Sequence, residues 1–256
     1  MVNETVVDYW EDNMTLWMVR GDKYGQYQSL SLEKGFAYHG SQVCDLSKAA
    51  TREDIFEMLR NHRPEAKDAQ LRSWAAQLYA IAHRIEEDDL VAMPLKNSPK
   101  IAIGKVISSY KYRTDLGEVH HTIPVKWLRG DIPRTAFGQD LLYSLGSART
   151  ICQIQRNNAE LRVAEILKGN SDPGPITTQT GEDGENGDGD LHDIEQMALD
   201  QIMRHIENQF KGHNLARLVD AVLKAESYVT KLSPPGPDGG IDILAGRGTL
   251  GPMSLT

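Results

Sequence analysis

The chain has 256 residues, 40% of them hydrophobic and 25% charged, a composition typical of a globular protein. No apolar run reaches the length of about 18 residues that a membrane span requires, and the acidic first residues do not resemble a secretory leader. The two cysteines, Cys44 and Cys152, fit no metal or redox spacing. We therefore expect a cytoplasmic protein with reduced thiols and no membrane partner.

The net charge of −8 is unevenly distributed along the chain. Residues 1–169 carry 22 basic and 22 acidic side chains, whereas the remainder carries 6 basic and 14 acidic ones. Within the first part, residues 96–134 hold eight basic and only three acidic residues. An anionic partner is therefore compatible with the sequence, and residues 96–134 are the expected place for its contacts.

Predicted elements of the first part alternate between strands and helices. "LWMVRG" (16–21) is a strand candidate, and "TREDIFEMLR" (51–60) begins with the helix-start pattern of Thr51 and Asp54. Residues 65–85 place apolar side chains at helical spacing, and residues 156–167 predict another helix. Three β-rich runs are bounded by turn residues: 89–95, 100–113 and 120–128.

"GNSDPGPITTQTGEDGENGDGD" (169–190) is rich in Gly, Pro and acidic residues and has no Lys or Arg. It predicts a flexible linker, because it cannot bury enough apolar surface to order itself, and no register matches a calcium-binding EF-hand loop. The predicted division is a first domain at 1–168, the linker at 169–190 and a second domain at 191–256. The second domain is predicted to contain helices at 191–210 and 213–228, followed by strand, turn and strand.

Four stretches of the first domain together resemble the EVE domains of the PUA-like superfamily. They are "LWMVRGDKYGQYQSL" (16–30), "IEEDDLVAMPL" (85–95), "IAIGKVISSYKYRTD" (101–115) and "IPVKWL" (123–128). The first matches the family's aromatic-led strand, the third its strand with a central glycine, and the last its Val-x-Trp strand. Asp88 departs from the pattern, since it replaces the family's usual glycine.

The resemblance implies a PUA-like β-barrel with flanking helices and a pocket for a modified or flipped base. Such a pocket needs aromatic faces for stacking, polar groups for the base edge, and Lys or Arg for the flanking phosphates. Lys105 and Lys111 add to the basic residues of this region. The side chains expected to contact base or DNA are Trp17, Arg20, Tyr24, Tyr110, Tyr112, Arg113, His120, His121, Lys126, Trp127 and Arg129.

Each aromatic residue in this set also has a structural interpretation. Trp17 and Trp127 alternate with apolar neighbours on predicted strands, so both fit a core equally well, and Tyr110 and Tyr112 fit one solvent-facing strand surface. His120 and His121 are adjacent on a predicted strand and should point to opposite faces, which disfavours a shared metal ion.

Residues 212–248, "GHNLARLVDAVLKAESYVTKLSPPGPDGGIDILAGRG", resemble the start of the Mrr-like nuclease domain of the PD-(D/E)xK class. Asp242, in the "DGGID" segment, matches the family's metal-binding aspartate. The resemblance implies Mg²⁺ bound by an intact nuclease site, in which Asp242 is a metal ligand and catalytic residue. No Gln-x-Lys follows Asp242, Ala216 stands where many members carry Glu, and Ser227 replaces a glycine.

"FGQDLLYSLGSARTICQIQRNNAELRV" (137–163) resembles the segment that joins an EVE-like reader to an Mrr-type nuclease. The predicted fold is therefore α+β: a PUA-like barrel, a linker and the partial α/β start of a restriction-endonuclease-like domain. The predicted function is the DNA-binding part of a truncated modification-dependent restriction endonuclease. We expect the reader domain to need no cofactor and the chain to leave DNA uncut. A homodimer is compatible with this prediction. The alternative is a PUA-like RNA- or DNA-binding regulatory protein. The sequence contains no phosphate-binding loop, no nucleophile motif and no zinc-ligand spacing, so a small-molecule enzyme is disfavoured.

Overall fold

The computed structural model describes residues 14–22, 24–147, 149–175, 194–233 and 241–247. The contacts divide the chain into two units, Met1–Met197 and Ala198–Thr256, and each has its own arrangement of helices and strands. Both units mix α and β structure, which confirms the α+β class at this level. None of the described helices is long and apolar enough to cross a membrane.

The first unit contains seven strands and five complete helices within its described residues. The strands are β1 (Leu16–Val19), β2 (Phe36–His39), β3 (Leu90–Pro94), β4 (Lys100–Val106), β5 (Lys111–Tyr112), β6 (His121–Pro133) and β7 (Ile151–Ile154). The helices are α1 (Gln28–Lys34), α2 (Arg52–His62), α3 (Asp68–Tyr79), α4 (Gln139–Ser144) and α5 (Ala159–Leu167). A π-helical turn, Ala80–Arg84, extends α3.

The strands of the first unit form a mixed sheet in the order β2-β6-β4-β3-β1-β7, with β5 paired to one part of β6. Only β1 and β3 run parallel, and the other pairs are antiparallel. The long strand β6 pairs with β2 and β5 near its start and with β4 further along, and a register shift lies beside Ile103. A shift of this kind bends a strand, so one sheet can curl into a half-barrel.

The curl brings the end of β1 next to β2 at the opposite side of the sheet. Gly21 and His39 form an isolated bridge, and the Gly40 N–H donates to the Gly21 carbonyl at 2.9 Å. The inner face carries one apolar cluster, which includes Trp17, Val91 and Ile123. The outer face carries a second cluster, which includes Leu16, Leu90 and Ile103 and is covered by α4 and α5. Strand alternation therefore assigns each residue to the interior or exterior of the curl.

Helices α2 and α3 form a separate apolar cluster beside the sheet. The Thr51 side chain accepts from the Asp54 N–H, and the Asp54 carboxylate accepts from the Thr51 N–H. This reciprocal capping box confirms the helix start predicted from the sequence. Ile55, Phe56 and Leu71 are buried between the two helices.

The second unit is small. Helix α6 (Ile194–Gln209) crosses the boundary between the units and is followed by α7 (His213–Ala225). Strands β8 (Val229–Leu232) and β9 (Ile243–Gly246) form an antiparallel pair. The Asp220 carboxylate accepts from Thr230 Oγ1 and from Lys224 Nζ, and thereby links α7 to β8.

Most elements match their predictions, with three differences. The predicted strand over 100–113 is wrong as one piece, because β4 ends at Val106 and only Lys111–Tyr112 pair again. Residues 213–228 are helical only to Ala225, and Ser227 adopts a positive φ of 65°. Strands β2 and β7 and the short helices α1 and α4 were not predicted from the sequence.

Candidate nucleic-acid interface

Aromatic rings and imidazoles gather where β5 meets the start of β6. Tyr112 is opposite His121 in the β5–β6 register, and His121 is opposite His39 in the β6–β2 register. These three residues share a face with Ile123 and Ala37, whose side chains belong to the inner cluster. The group therefore lies at one end of the curled sheet's interior. We call Tyr110, Tyr112, His120 and His121 the hairpin cluster.

His121 is the fully buried centre of the hairpin cluster, with an exposed fraction of 0%. Its Nε2 lies 3.1 Å from the Val43 carbonyl, which can only accept, so Nε2 carries the proton. Its Nδ1 then accepts from the Tyr110 hydroxyl at 2.8 Å. The neutral ring thus has both nitrogens bonded, and this fixes its orientation.

Burial keeps both partners of this hydrogen bond uncharged at neutral pH. Loss of hydration lowers the pKa of His121 to about 4, and the nearby His120 acts in the same direction, while the bond to Val43 opposes them. Loss of hydration also raises the pKa of the Tyr110 hydroxyl, and the bond from the Leu46 N–H opposes that change. Neither group is therefore poised for proton transfer near pH 7.

Tyr112 and His120 are partly exposed, as is Tyr110, whereas His121 is buried. The Tyr112 and His120 rings are stacked, with centroids 5.4 Å apart and an angle of 27° between the planes. His120 Nδ1 donates to the Arg113 carbonyl at 2.7 Å, and Tyr112 meets His121 edge-on at 5.5 Å. The prediction that the two histidines point to opposite faces is wrong, since both rings contact Tyr112. The reason is that His120 precedes β6, so strand alternation does not apply to it.

Two cations, Lys111 and Arg113, are the chain neighbours of Tyr112, and strand alternation places Lys111 on the opposite face of β5 from the Tyr112 ring. Lys111 is exposed and has no carboxylate within ion-pair distance among the described residues. The Arg113 guanidinium forms two hydrogen bonds with the Asp115 carboxylate, one of them from Nε at 2.8 Å. This pair lowers the pKa of Asp115 to about 2. Lys111 is therefore the more available cation for a phosphate, and Arg113 would have to leave Asp115 to reach one.

The two tryptophans predicted to line the pocket both make structural hydrogen bonds. Trp17 is 2% exposed and its Nε1 donates to the buried Asp89 carboxylate at 2.9 Å. Trp127 Nε1 donates to the Ser31 carbonyl at 2.9 Å, and its ring packs over Gly104. A Cβ on Gly104 would come within 2.8 Å of Trp127 Cε3, so a side chain there would displace the ring. Trp17 is therefore part of the core, whereas Trp127 stays partly exposed and its ring is held by Ser31 and Gly104.

The other predicted contacts lie away from the hairpin cluster. Arg20 is buried and donates from Nη2 to the Leu145 carbonyl at 3.2 Å. Tyr24 is 65% exposed in the turn after β1, where the Asp22 carboxylate accepts from its N–H at 2.7 Å. Arg129 is exposed on β6, with Nε 3.7 Å from the Asp131 carboxylate.

Lys126 lies on the outer face, where a second basic group forms. It is directly opposite Lys105 in the β4–β6 register, and Lys105 Nζ is 2.7 Å from the Asp88 carboxylate. Like charges opposite each other on neighbouring strands are unfavourable, so a bound anion would relieve them. Lys111 is opposite Thr122, which alternation places on the same face as Lys126.

Asp242 lies exposed immediately before β9, and its carbonyl accepts from the Ser233 N–H at 3.0 Å. Within the described ranges, no group of three or more His, Cys, Asp and Glu side chains could hold a metal ion. The preceding residues of the "DGGID" segment, Asp238 to Gly240, lie outside the described residues. Asp242 is thus a single acidic side chain at the start of a strand.

His39 and the Val43 carbonyl belong to the same site, yet neither was predicted from the sequence. His39 Nδ1 accepts from the Ser41 N–H at 3.1 Å, and burial together with the nearby His121 holds the pKa of His39 well below its ordinary value. The signal available was "FAYH" (36–39), four residues of aromatic and small side chains between Gly35 and Gly40. Such a short run is weak evidence for a strand.

The arrangement favours binding over catalysis. The hydroxyl and the imidazole nitrogens at the centre are committed to internal hydrogen bonds, and the partly exposed residues are flat rings and cations. Cys44 is an exposed thiol in the neighbouring loop, but no base contacts it among the described hydrogen bonds. Rings with adjacent cations suit a planar, negatively charged ligand.

A family model described as a domain of unknown function, DUF8426, matches residues 31–146. This stretch covers somewhat less than half of the chain and includes the whole hairpin cluster. No curated protein and no solved structure matches the chain. The chain is therefore similar to this domain over the part that carries the candidate site, and the description of the domain assigns no function to it.

Proposed function

We propose that the first unit binds DNA that carries a modified base or backbone, as the reader part of a modification-dependent restriction endonuclease. The observation that carries the proposal is the stacked pair of Tyr112 and His120 beside Lys111. Stacking on an aromatic ring contributes about 1–3 kcal/mol per base, and an adjacent cation binds the phosphate. The resemblance to EVE domains supports the same function.

In this proposal, a base reaches the rings from the end of the curled sheet. The hairpin cluster lies at the end of the curled sheet's interior, and its centre is held by hydrogen bonds to Val43 and Tyr110. A base extruded from the duplex would stack on the ring of Tyr112 or His120, while the buried His121 stays fixed. The outer pair of Lys105 and Lys126 would contact phosphates further along the same strand of DNA.

The proposed binding is tested by titrating duplexes with the full chain. The set contains methylcytosine, hydroxymethylcytosine, methyladenine, phosphorothioate and unmodified DNA of one sequence. We expect one modified duplex to bind at least about tenfold more tightly than the unmodified one, since recognition by stacking and one hydrogen bond contributes at least 1.4 kcal/mol. Equal, weak binding to every duplex would contradict the reader function.

Two variants separate base contact from phosphate contact. Tyr112→Ala should remove most of the preference for the modified duplex, because it removes the stacking face. Lys111→Ala should weaken binding to all duplexes and reduce the slope of log K against log salt by about one. Tyr143→Ala, which removes an exposed tyrosine on α4, is the matched control and should change neither quantity.

The second unit is proposed to derive from an Mrr-like nuclease and to leave DNA intact in this chain. The support is the "DGGID" segment that contains Asp242, together with the finding that no group of three or more metal-ligating side chains lies within the described residues. An intact site would hold Mg²⁺ on Asp242 and a second acidic group, and the metal would activate the attacking water. Incubation with Mg²⁺ should leave DNA uncut, whereas cleavage abolished by Asp242→Ala would refute this part.

The alternative is an RNA-binding regulatory protein. Competition between RNA and DNA of the same sequence distinguishes the two, because only RNA presents a 2′-hydroxyl. Displacement of bound modified DNA by unmodified RNA at equal concentration would favour the alternative.

A further inference from the structure

The π-helical turn at the end of α3 carries a second pair of stacked rings. Tyr79 and His83 have ring centroids 4.9 Å apart, with an angle of 36° between the planes. Tyr79 is partly exposed and His83 is exposed. A π-helical turn inside an α-helix is rare and frequently marks a functional site. This pair therefore offers stacking surface outside the hairpin cluster.

Arg84, the last residue of the turn, is held in place by groups that do not neutralise its charge. Its guanidinium lies 5.1 Å from the centroid of the Trp17 ring, and its Nη2 donates to Gln153 Oε1 at 2.8 Å. Within the described residues it forms no ion pair, although Glu86 and Glu87 follow it closely in the chain. A guanidinium has more N–H donors than these contacts use. Arg84 is therefore an exposed, oriented cation with donors left for an anion.

The π-helical turn lies over the interior of the curled sheet. Its residues Ala80 and Ile81 belong to the inner apolar cluster, and the turn contacts β6. Tyr79 packs against the cluster between α2 and α3, and Tyr110 of the hairpin cluster packs against the same cluster. The second stacked pair therefore belongs to the same part of the first unit as the hairpin cluster.

We propose that Tyr79, His83 and Arg84 form a second nucleotide site, which takes an unpaired nucleotide close to the base bound at the hairpin cluster. The base stacks on the exposed His83 ring, and Arg84 donates to the phosphate of the same nucleotide. A flat ring with an adjacent cation is the combination that unpaired nucleic acid strands bind. The site rests on the proposed function in that its ligand belongs to the same DNA strand.

The test compares three duplexes that carry the same modified base. One is fully paired, one has unpaired nucleotides beside the modified base, and one has abasic units at those positions. The abasic duplex is the control, because unpaired neighbours also make a base easier to extrude. The full chain should bind the duplex with unpaired bases at least about fivefold more tightly than the abasic one, since only the former has a base to stack. Equal affinities of these two would overturn the proposal.

Two variants assign the gain to the π-helical turn. His83→Ala should abolish the gain from unpaired bases and leave the affinity for the fully paired duplex unchanged. Arg84→Gln should reduce the slope of log K against log salt by about one for the duplex with unpaired bases. His62→Ala, at another exposed histidine on α2, is the matched control and should keep the gain. Thermal unfolding of each variant verifies that it is folded.

The outcomes separate this site from the proposed function. A preference for the modified base that is retained, with a gain from unpaired bases that His83→Ala does not change, would overturn the second site alone. A gain that depends on His83, without any preference for the modified base, would support the second site and contradict the reader function.

Discussion

Arg162 and Asp172 are joined by two hydrogen bonds, from Nε to Oδ1 at 2.7 Å and from Nη2 to Oδ2 at 2.8 Å. The same guanidinium donates twice to Asp140, and Arg162 is 0% exposed. Asp172 also accepts from the Gly138 N–H. The segment that follows α5 is thereby fastened to the first unit, and the buried cation has a carboxylate on each side.

Removing one of these carboxylates should destabilise the first unit strongly. Asp172→Ala leaves Arg162 buried with one partner, and we expect a loss of about 3 kcal/mol in the free energy of unfolding. Urea denaturation followed by tryptophan fluorescence measures it. Arg60→Ala, which breaks exposed ion pairs on α2, is the control and should cost less than about 1 kcal/mol. Equal effects of the two variants would show that the buried network contributes little.

This network also makes the free energy of unfolding depend on pH in the acidic range. Hydrogen bonds from Arg162 lower the pKa of Asp140 to about 2, and the pKa of Asp172 is lowered as well, although burial opposes the effect for both. A carboxyl with a depressed pKa stabilises the fold above its unfolded pKa, near 3.8. We therefore expect this stabilisation to be lost as the pH falls from about 4 to about 2. Asp140→Asn should make the free energy of unfolding less dependent on pH in that range.

His121 should give a separate pH dependence at higher pH. Its pKa of about 4 in the fold lies below the ordinary value of 6.5, so the unfolded chain binds the proton more readily. Stability contributed by the neutral ring is complete above about pH 6.5 and falls as the pH drops towards 4. We expect His121→Gln to reduce this slope, and the part that remains comes from His39, whose pKa is also lowered by burial. His62→Gln, on exposed α2, should leave the slope unchanged, and NMR titration of the imidazole gives the pKa directly.

Gly21 is required for two reasons that a matched pair of variants can separate. Its φ is +79°, and a Cβ would lie 2.3 Å from Tyr38 Cζ. Gly117 has a similar φ of +66° but no atom within 4 Å of a Cβ. Gly117→Ala should cost about 1 kcal/mol from backbone strain alone, while Gly21→Ala should cost at least about 2 kcal/mol more from the displaced ring. Thermal unfolding of both measures the difference, and equal losses would rule out the clash.

Substitution of Trp127 tests whether its ring stabilises the core or contacts a base. Trp127→Ala should lower the free energy of unfolding by about 3 kcal/mol, because the ring packs against the inner cluster and bonds Ser31. The ratio of affinities for modified and unmodified DNA should stay unchanged in the folded fraction. A changed ratio of affinities with an unchanged free energy of unfolding would show that Trp127 contacts the DNA.

Local patterns were predictable because their causes are local. The Thr51 capping box depends on residues three positions apart, and the amphipathic helix on a regular spacing, so both were visible in the sequence. The roles of Trp17 and Trp127 were not, because a strand has two faces and alternation cannot say which one is buried. The face depends on how the sheet curls, and that depends on pairings between distant residues.

The partners of buried polar groups were equally hidden. His121 bonds the Val43 carbonyl, 78 positions away in the sequence, and a backbone acceptor leaves no trace in residue types. Arg162 did leave a signal that was not used. It shares the buried face of α5 with Ala159, Val163 and Ile166, and an arginine on an apolar helix face implies a buried acidic partner.

The bridge between Gly21 and His39 has a consequence for how the hairpin cluster could admit a ligand. Each neighbouring pair in the order β2-β6-β4-β3-β1-β7 shares at least three paired residues, whereas the end of β1 is joined to β2 by one bridge. This junction is therefore the weakest seam of the curl, and it lies beside the imidazoles of His39 and His121. Separation of the seam would sacrifice few backbone hydrogen bonds and would widen the interior at the end where the aromatic rings stand.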